Sequence, residues 1–425
     1  MELKRVTEPR PERPRFVYPA AMDETVGVYV HVPFCERVCP YCDFAVEAAR
    51  ESTSGSRGSS TWQTLEAEYV EDLLRELALR APDFRGRRLA SLYFGGGTPS
   101  LFQPESLARI REATERFFSP IEEVFEVTLE VNPSTVERAR LRRFRTEAGI
   151  NRISLGVQSF DDSLLKALGR AHRSEESHTT IEAARSAGFD NLSLDLMFAA
   201  LHQTPMMLAA DLDSALAHEP QHISTYELVI EEGTPFARAA ERGKLAIYSQ
   251  DAAADLLELL VARLKASGYR RYELTNHALR GYEAVHNRRY WQRVPVLGIG
   301  VGAHSTDPPS PLHPYGRRQA NPRERLAWSR PLRAGRLPGI GIESLSLEQA
   351  ISEAAFLSLR TAEGLDAVTF TAEFGHSPRH FFGATIDRLV LESLLDERAE
   401  GRLVLTERGR RLADLVAADF ILSGD

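Results

Sequence analysis

The sequence predicts an α/β protein: a parallel sheet or open, incomplete six-stranded (β/α)6 barrel, followed by a small, mostly helical, winged-helix-like unit. Three observations carry this. Short β-rich runs alternate six times with longer segments of helical periodicity, which implies parallel strands joined by crossover helices. The 425 residues, 43% hydrophobic and 26% charged, suffice for a sizeable core. From about residue 345 the pattern turns mostly helical, then ends in a short apolar run, Leu403-Val404-Leu405, and a last helix from Glu407.

In chain order, the candidate strands are residues 28–32, 91–94, 125–131, 152–157, 192–198 and 222–229. The candidate helices are 66–80, 107–118, 136–147, 162–168, 177–187, 207–217 and 252–267. The first of these helices carries Tyr69, Leu73, Leu74 and Leu77 on one face. Residues 1–26 hold charges and prolines without an apolar core, so they read as an arm and not as a secretory signal. Residues 51–61 are Ser/Gly-rich and predict a mobile loop. Residues 307–322 hold five prolines. The resulting division is an arm (1–26), a core with its extension (27–305), a proline-rich connection (306–344) and a C-terminal domain (345–425).

Charge and cysteine content narrow the function. Fifty-two Lys+Arg against 60 Asp+Glu give a net charge of −8, which argues against a dominant nucleic-acid role. No run approaches the roughly 18 apolar residues of a membrane span. The three cysteines are Cys35, Cys39 and Cys42. An odd, crowded set is no disulfide framework, so the chain reads as cytoplasmic and the cluster as metal-binding or reactive.

The cysteines follow the first strand directly, in the spacing C-x3-C-x2-C. Both candidate architectures place function there, in the loops after the strands. Three thiolates on one short loop can hold three corners of a cubane iron–sulfur cluster and leave the fourth iron open to a chelating ligand. A zinc site completed by His31 or a remote histidine is the alternative, and a redox pair of Cys39 and Cys42 would leave Cys35 unexplained.

This spacing resembles the signature of the radical S-adenosylmethionine (SAM) superfamily. The flanks, His31-Val32-Pro33-Phe34 before and Pro40-Tyr41 and Asp43-Phe44 within and after, are similar to relatives of the oxygen-independent coproporphyrinogen III oxidases, and within these to the heme-chaperone (HemW) branch. The resemblance spans about residues 27–425. It implies a [4Fe–4S] cluster on Cys35, Cys39 and Cys42, SAM chelating the open iron, and a reductant protein that supplies the electron. It further implies SAM contacts from Tyr29, Gly96, Gly97, Thr98, Glu130, Gln158, Arg170 and Asp195, drawn from successive strand ends. Taken singly, each of these residues has an ordinary reading, such as a turn glycine or a surface charge. The sequence departs from the family after Asp195-Leu196-Met197-Phe198. There the family reads Gly-Leu-Pro-Gly-Gln-Thr and this chain reads Ala199-Ala200-Leu201-His202-Gln203-Thr204. Two glycines and a proline are lost, and with them backbone freedom and a fixed turn.

Two further positions separate carrier from oxidase. The oxidases hold an extra cysteine where this chain has Phe44, and an isoleucine where it has His304. The segment His286-Asn287-Arg288-Arg289-Tyr290-Trp291 matches a motif associated with heme. That resemblance implies heme as cargo at His286, Tyr290 and Trp291, with Arg288 or Arg289 on the propionates and an unidentified heme-accepting protein as partner. The alternative for this segment is an interior plug with a hydrogen-bonded histidine. An enzyme acting on a porphyrinogen is the alternative function.

Overall fold

The first strand, TVGVYVHV, has no polar alternation, and a strand covered on both faces needs none. In the computed structural model, which describes residues 24–49, 62–133, 135–245, 247–339 and 341–422, this is β1 (Thr25–Val32). All its residues are buried except the half-buried Tyr29. The chain continues through a short pair, β2 (Phe34–Cys35) and β3 (Glu47–Ala48), then β4 (Arg88–Gly96), β5 (Glu126–Val131), β6 (Arg152–Gln158), β7 (Leu192–Phe198) and β8 (His222–Glu227). Strands β1, β4, β5, β6, β7 and β8 lie side by side in that order, all parallel. They are the six strands expected from the sequence, β7 with the same bounds and the others with bounds moved by at most three residues.

The sheet continues past both edges of this run. On one side β10 (Asn276–Ala278) pairs antiparallel with β8, and the two-residue β9 (Arg270–Arg271) pairs antiparallel with β10. On the other, β11 (Val296–Ile299) pairs parallel with β1, and β12 (His304–Asp307), β13 (Arg317–Ala320) and β14 (Gly341–Ser344) follow antiparallel. Residues 306–344, expected as a connection, therefore carry two strands and the helix Arg325–Arg333 and belong to the sheet region. The expected arm is shorter than 26 residues, since Thr25 already pairs with Arg88. The expected loop at 51–61 lies outside the described residues. Beyond β14 come the helices Leu347–Leu359, Ala367–Phe374 and Pro378–Leu391, and then the hairpin of β15 (Leu395–Glu397) and β16 (Leu403–Leu405).

Two cores form. The larger unites Val28, Val30, Leu92, Leu129, Ile153 and Leu194 of the sheet with Leu73, Leu77 and Leu107 of its helices. The smaller gathers Ile351, Phe370, Ile386, Leu403 and Phe420 of the C-terminal region.

Polar residues join the first helix, Trp62–Arg80, to the sheet extension: Tyr69 to Val301, Arg80 to Asp307 and, most extensively, Glu76. Buried Glu76 accepts from Gly300 N (2.8 Å), Trp328 Nε1 (2.8 Å) and Asn321 Nδ2 (2.6 Å). Burial pushes its carboxyl up to about 7, and these three donors act against that rise. Glu76→Ala leaves the buried Gly300 and Trp328 donors and the half-buried Asn321 without this acceptor and is expected to cost about 2–4 kcal/mol. Urea unfolding measures it, and a loss below about 0.5 kcal/mol would show that the tie is unimportant.

Candidate cofactor site

The loop carrying the cysteines is rooted by the turn that follows β4. Gly97 N donates to Val32 O and Thr98 N to Phe34 O, each at 2.8 Å. A side chain at Gly97 would approach both of those carbonyls at 2.8 Å, and one at Gly96 (φ +106°) would run into the His31 ring. Only glycine permits this approach. The glycine pair therefore brings the β4 strand end onto the cluster loop.

Seven of the eight residues expected around SAM meet the three cysteines on one cavity of about 570 Å3, a usual size for a small-molecule site. They are Gly96, Gly97, Thr98, Glu130, Gln158, Arg170 and Asp195. Tyr29 is the exception. Its hydroxyl is 3.0 Å from His31 Nδ1 and its ring stacks on Tyr93, in a layer below the cavity.

Each cavity residue is held by neighbouring strand ends. Glu130 accepts from Tyr93 OH (2.7 Å) and Gly96 N (3.0 Å), and enclosure by protein pushes its carboxyl up to about 7. Asp195 accepts from Ser154 Oγ at 3.1 Å and is also raised by burial. Gln158 sits at φ +66° where the β6–β7 register shifts, a bulge of the kind that re-aims a side chain. Arg170 donates to Asn132 Oδ1 (2.6 Å), Gly156 O (3.0 Å) and Cys39 Sγ (3.5 Å). Asn132, not singled out in the sequence, links Arg170 to Thr98, its Nδ2 donating to Thr98 Oγ1 at 2.7 Å. Its signal was position alone, two residues after Glu130.

The donor set fits an iron–sulfur cluster. Burial pushes the Cys35 thiol up to about 12 and raises Cys42 as well. Without a metal these thiols stay protonated, and a cationic cluster supplies the charge that makes them thiolates. Among the described residues no three His, Cys, Asp or Glu side chains converge on a single-ion position. His31, the candidate zinc ligand, has both ring nitrogens engaged. Its Nε2 lies 3.0 Å from Ala45 O, so that nitrogen carries the proton and Nδ1 accepts from Tyr29. Arg170 Nε is buried and has no hydrogen bond among the described residues, a donor left for an anionic ligand such as a carboxylate.

The segment expected to hold heme lies elsewhere. His286 is buried on the helix Val285–Trp291, its Nδ1 2.9 Å from Ser91 Oγ and its Nε2 3.1 Å from Tyr290 OH. Its ring stacks on Tyr93, and Glu126 caps the helix by accepting from Val285 N and His286 N, both at 3.1 Å. Burial lowers its pKa to about 3, so it is neutral. Arg289 is likewise interior, donating to Thr25 Oγ1 and Pro295 O. Trp291 instead lines a separate cavity of about 260 Å3 against the C-terminal helices, under Arg360. In this structure both His286 nitrogens have hydrogen-bonding neighbours, Tyr290 stands beside it half-buried, and Trp291 faces the separate cavity.

Comparison with known proteins agrees with this architecture. The Radical SAM superfamily model matches residues 29–215 and the HemN C-terminal domain model residues 345–412. The heme chaperone HemW of Bacillus subtilis is 30% identical over 395 residues, spanning 93% of this chain and 99% of that protein. The chain belongs to the HemW family. HemW of Lactococcus lactis is 32% identical over 402 residues, covering 93% of this chain and 97% of its own. The solved coproporphyrinogen III oxidase (HemN) of Escherichia coli superposes with a TM-score of 0.77 at 24% identity, over 94% of this chain and 91% of that one. The shared fold is an α/β radical SAM fold with a mixed sheet and a helical C-terminal region. As in the radical SAM superfamily at large, the cofactors implied for this HemW chain are a [4Fe–4S] cluster and SAM.

The altered turn after β7 keeps the backbone that glycine would give. Ala199 and His202, at the two glycine positions, adopt φ of +50° and +60°. A left-handed non-glycine residue costs about 1–2 kcal/mol. The double variant Ala199→Gly/His202→Gly is therefore expected to gain about 1–2 kcal/mol in denaturant unfolding, part of the relief being lost to glycine's greater unfolded-state freedom. A loss of stability would contradict the strain.

Proposed function

We propose that this chain carries heme and hands it to an acceptor protein, with a [4Fe–4S] cluster and SAM in the 570 Å3 cavity enabling or regulating the transfer. The observation that carries the reading is the convergence of three cysteines and seven strand-end residues on that cavity, in a chain whose curated relatives are named heme chaperones. Cys35, Cys39 and Cys42 would ligate the cluster. Arg170 would face the SAM carboxylate, Glu130 its ammonium, and Asp195 and Gln158 the adenosyl part. When bound, these cofactors supply one-electron chemistry, while the protein orients the ligand and excludes water. Tyr29 supports the floor by holding His31. We read the six parallel strands as a partial (β/α)6 barrel, residues 25–344 as the core with its sheet extension and 345–425 as a winged-helix-like domain, the whole working in the cytoplasm with a separate reductant protein.

A tetrapyrrole-modifying enzyme is the second reading, favoured by the complete cavity. Phe44 on the cavity rim, where the oxidases place a cysteine, weighs against coproporphyrinogen as its substrate.

The full-length, cluster-loaded protein should bind hemin stoichiometrically with a shifted Soret band. A titration without that shift removes the carrier reading. Anaerobic incubation with coproporphyrinogen III, SAM and reductant should give no protoporphyrinogen IX, and its formation would establish the enzyme instead.

The raised Glu130 carboxyl gives a pH dependence. Below about 7 it is neutral, and above about 7 it is the carboxylate that an ammonium prefers. SAM affinity, measured by calorimetry, should rise as pH passes upward through about 7, and Glu130→Gln should flatten the profile. A wild-type profile that falls over this range would exclude the ammonium contact.

A further inference from the structure

The helix Val285–Trp291 starts on three successive backbone amides, and all three are held by side chains of the sheet region. Ala284 N donates to Tyr272 OH at 3.3 Å, and Val285 N and His286 N donate to Glu126. The phenol has a second partner. Its oxygen lies 2.9 Å from His222 Nε2, and His222 Nδ1 lies 2.8 Å from Ser193 Oγ. Ser193 Oγ stands 3.5 Å from Asp195 Oδ1, the longest step of the chain. Ser193 and Asp195 share a face of β7 by alternation, and His222 on β8 is the register partner of Ser193. Ser193, His222 and Tyr272 are all buried, while Asp195 lines the cofactor cavity. A chain of hydrogen bonds thus runs from the cofactor cavity to the start of the helix that carries the segment expected to hold heme.

The direction of these bonds depends on Asp195. His222 is buried and neutral, so one ring nitrogen donates and the other accepts. With Asp195 as a carboxylate, Ser193 donates to it, Nδ1 donates to Ser193, and Nε2 accepts from Tyr272. The phenol oxygen then accepts from Ala284. With Asp195 protonated, the carboxyl donates to Ser193 and the His222 tautomer reverses. Nε2 now donates to the phenol oxygen that Ala284 also uses, and the phenol proton loses its acceptor. Burial raises the Asp195 carboxyl, with Ser224 and Arg152 acting against that rise. The two arrangements differ by one proton, gained or released at Asp195 on the cavity side. Only the carboxylate arrangement seats the helix with every donor satisfied.

We propose that the relay Asp195–Ser193–His222–Tyr272–Ala284 couples the cofactor cavity to the helix Val285–Trp291, so that SAM at Asp195 loosens heme held on that helix. This inference rests on the heme-carrier reading. Hydroxyl donors such as those of SAM favour the carboxylate form of Asp195, and with it the seated helix. In the seated helix the His286 ring nitrogens face Ser91 Oγ and Tyr290 OH. Heme iron and the seat therefore compete for one imidazole, which is the difference between two states that any coupling requires. Ser193, His222 and Tyr272 act as positioning residues and touch neither ligand's reacting atoms.

The test uses the cluster-loaded full-length protein. Hemin affinity is measured by absorbance titration with and without saturating SAM, and SAM affinity by calorimetry with and without hemin. SAM should weaken hemin binding by about fivefold or more, and hemin should weaken SAM binding by the same factor. Tyr272→Phe keeps the ring and removes the hydroxyl, and Ser193→Ala cuts the chain nearer the cavity. In both variants each ligand should still bind alone, while the coupling factor falls to about one. Ser305→Ala, which removes a buried hydrogen bond to Gly298 outside the relay, should keep the wild-type factor. Hemin affinity that SAM leaves unchanged or strengthens in the wild type overturns the coupling and leaves the carrier reading standing. Persistence of the wild-type factor in Tyr272→Phe and Ser193→Ala overturns the relay. A wild type that binds no hemin overturns the carrier reading itself, and this inference with it.

Discussion

The cavity depends on a relay of hydrogen bonds that crosses from one parallel strand end to the next. Val32 and Phe34 hold Gly97 and Thr98, Thr98 holds Asn132, Asn132 holds Arg170, and Arg170 reaches back to Cys39. Parallel strands leave their C-terminal ends without a shared turn, so a site built there has to be cross-linked by side chains. Arg170 is the costly member. Removing a guanidinium from water costs several kcal/mol unless its donors are satisfied. Asn132 Oδ1 and Gly156 O satisfy part of that demand, and the remaining direction, toward Cys39, faces the position of an anionic cluster ligand set. The protein thus keeps a cation at the site in advance of the ligand, which is the preorganisation a cofactor of net negative surroundings requires.

Below the cavity, Tyr29, Tyr93 and His286 form a layer of rings with centroids 5.0–6.2 Å apart. Ring pairs at such separations gain about 0.5–1.5 kcal/mol beyond burial, and each polar tip has a partner: His31, Glu130, and Ser91 with Tyr290. The layer supports the cavity through Tyr93, whose hydroxyl holds the cavity-lining Glu130. Capping of the helix Val285–Trp291 by Glu126 explains why it stays seated there, because the carboxylate meets two of the free amides at the positive end of the helix. His286 of that motif is thus seated in this layer, while Trp291 lines the separate cavity. The same layer explains why Tyr29 stops short of the cavity, since its hydroxyl is committed to the His31 tautomer.

What could be read from the sequence was what short-range chemistry writes. Cysteine spacing and the six buried strands follow from local pattern, the strand-end residues were implied by the family resemblance, and the structure brings seven of them to one cavity with the cysteines. What was not readable depended on partners far along the chain. Strand β13, Arg-Arg-Gln-Ala, has no apolar signal and exists because His304–Asp307 offers it an edge. The inward turn of His286 is decided by Ser91 and Tyr93, nearly two hundred residues away. Exposure of Phe44 and His304 is equally a tertiary fact, since an aromatic residue and a histidine read the same in sequence whether they are buried or exposed.

The turn after β7 shows how a family feature survives the loss of its glycines. Two left-handed non-glycine residues cost about 2–4 kcal/mol together. Against this, Ala200 and Leu201 are buried with Leu168, Met197, Leu228 and Phe236. Burying one leucine contributes roughly 1.5–3 kcal/mol, and a buried alanine adds less. Gln203 adds bonds to Met197 O (3.3 Å) and from Ala200 N (3.4 Å), and Thr204 caps the next helix by accepting from Met207 N. The two sides are of similar size, so packing and capping suffice to hold a backbone that the local sequence disfavours. The edge of the cofactor cavity is thereby kept in shape by the apolar cluster behind it, and substitutions at Leu201 or Phe236 act on the cofactor site through that turn.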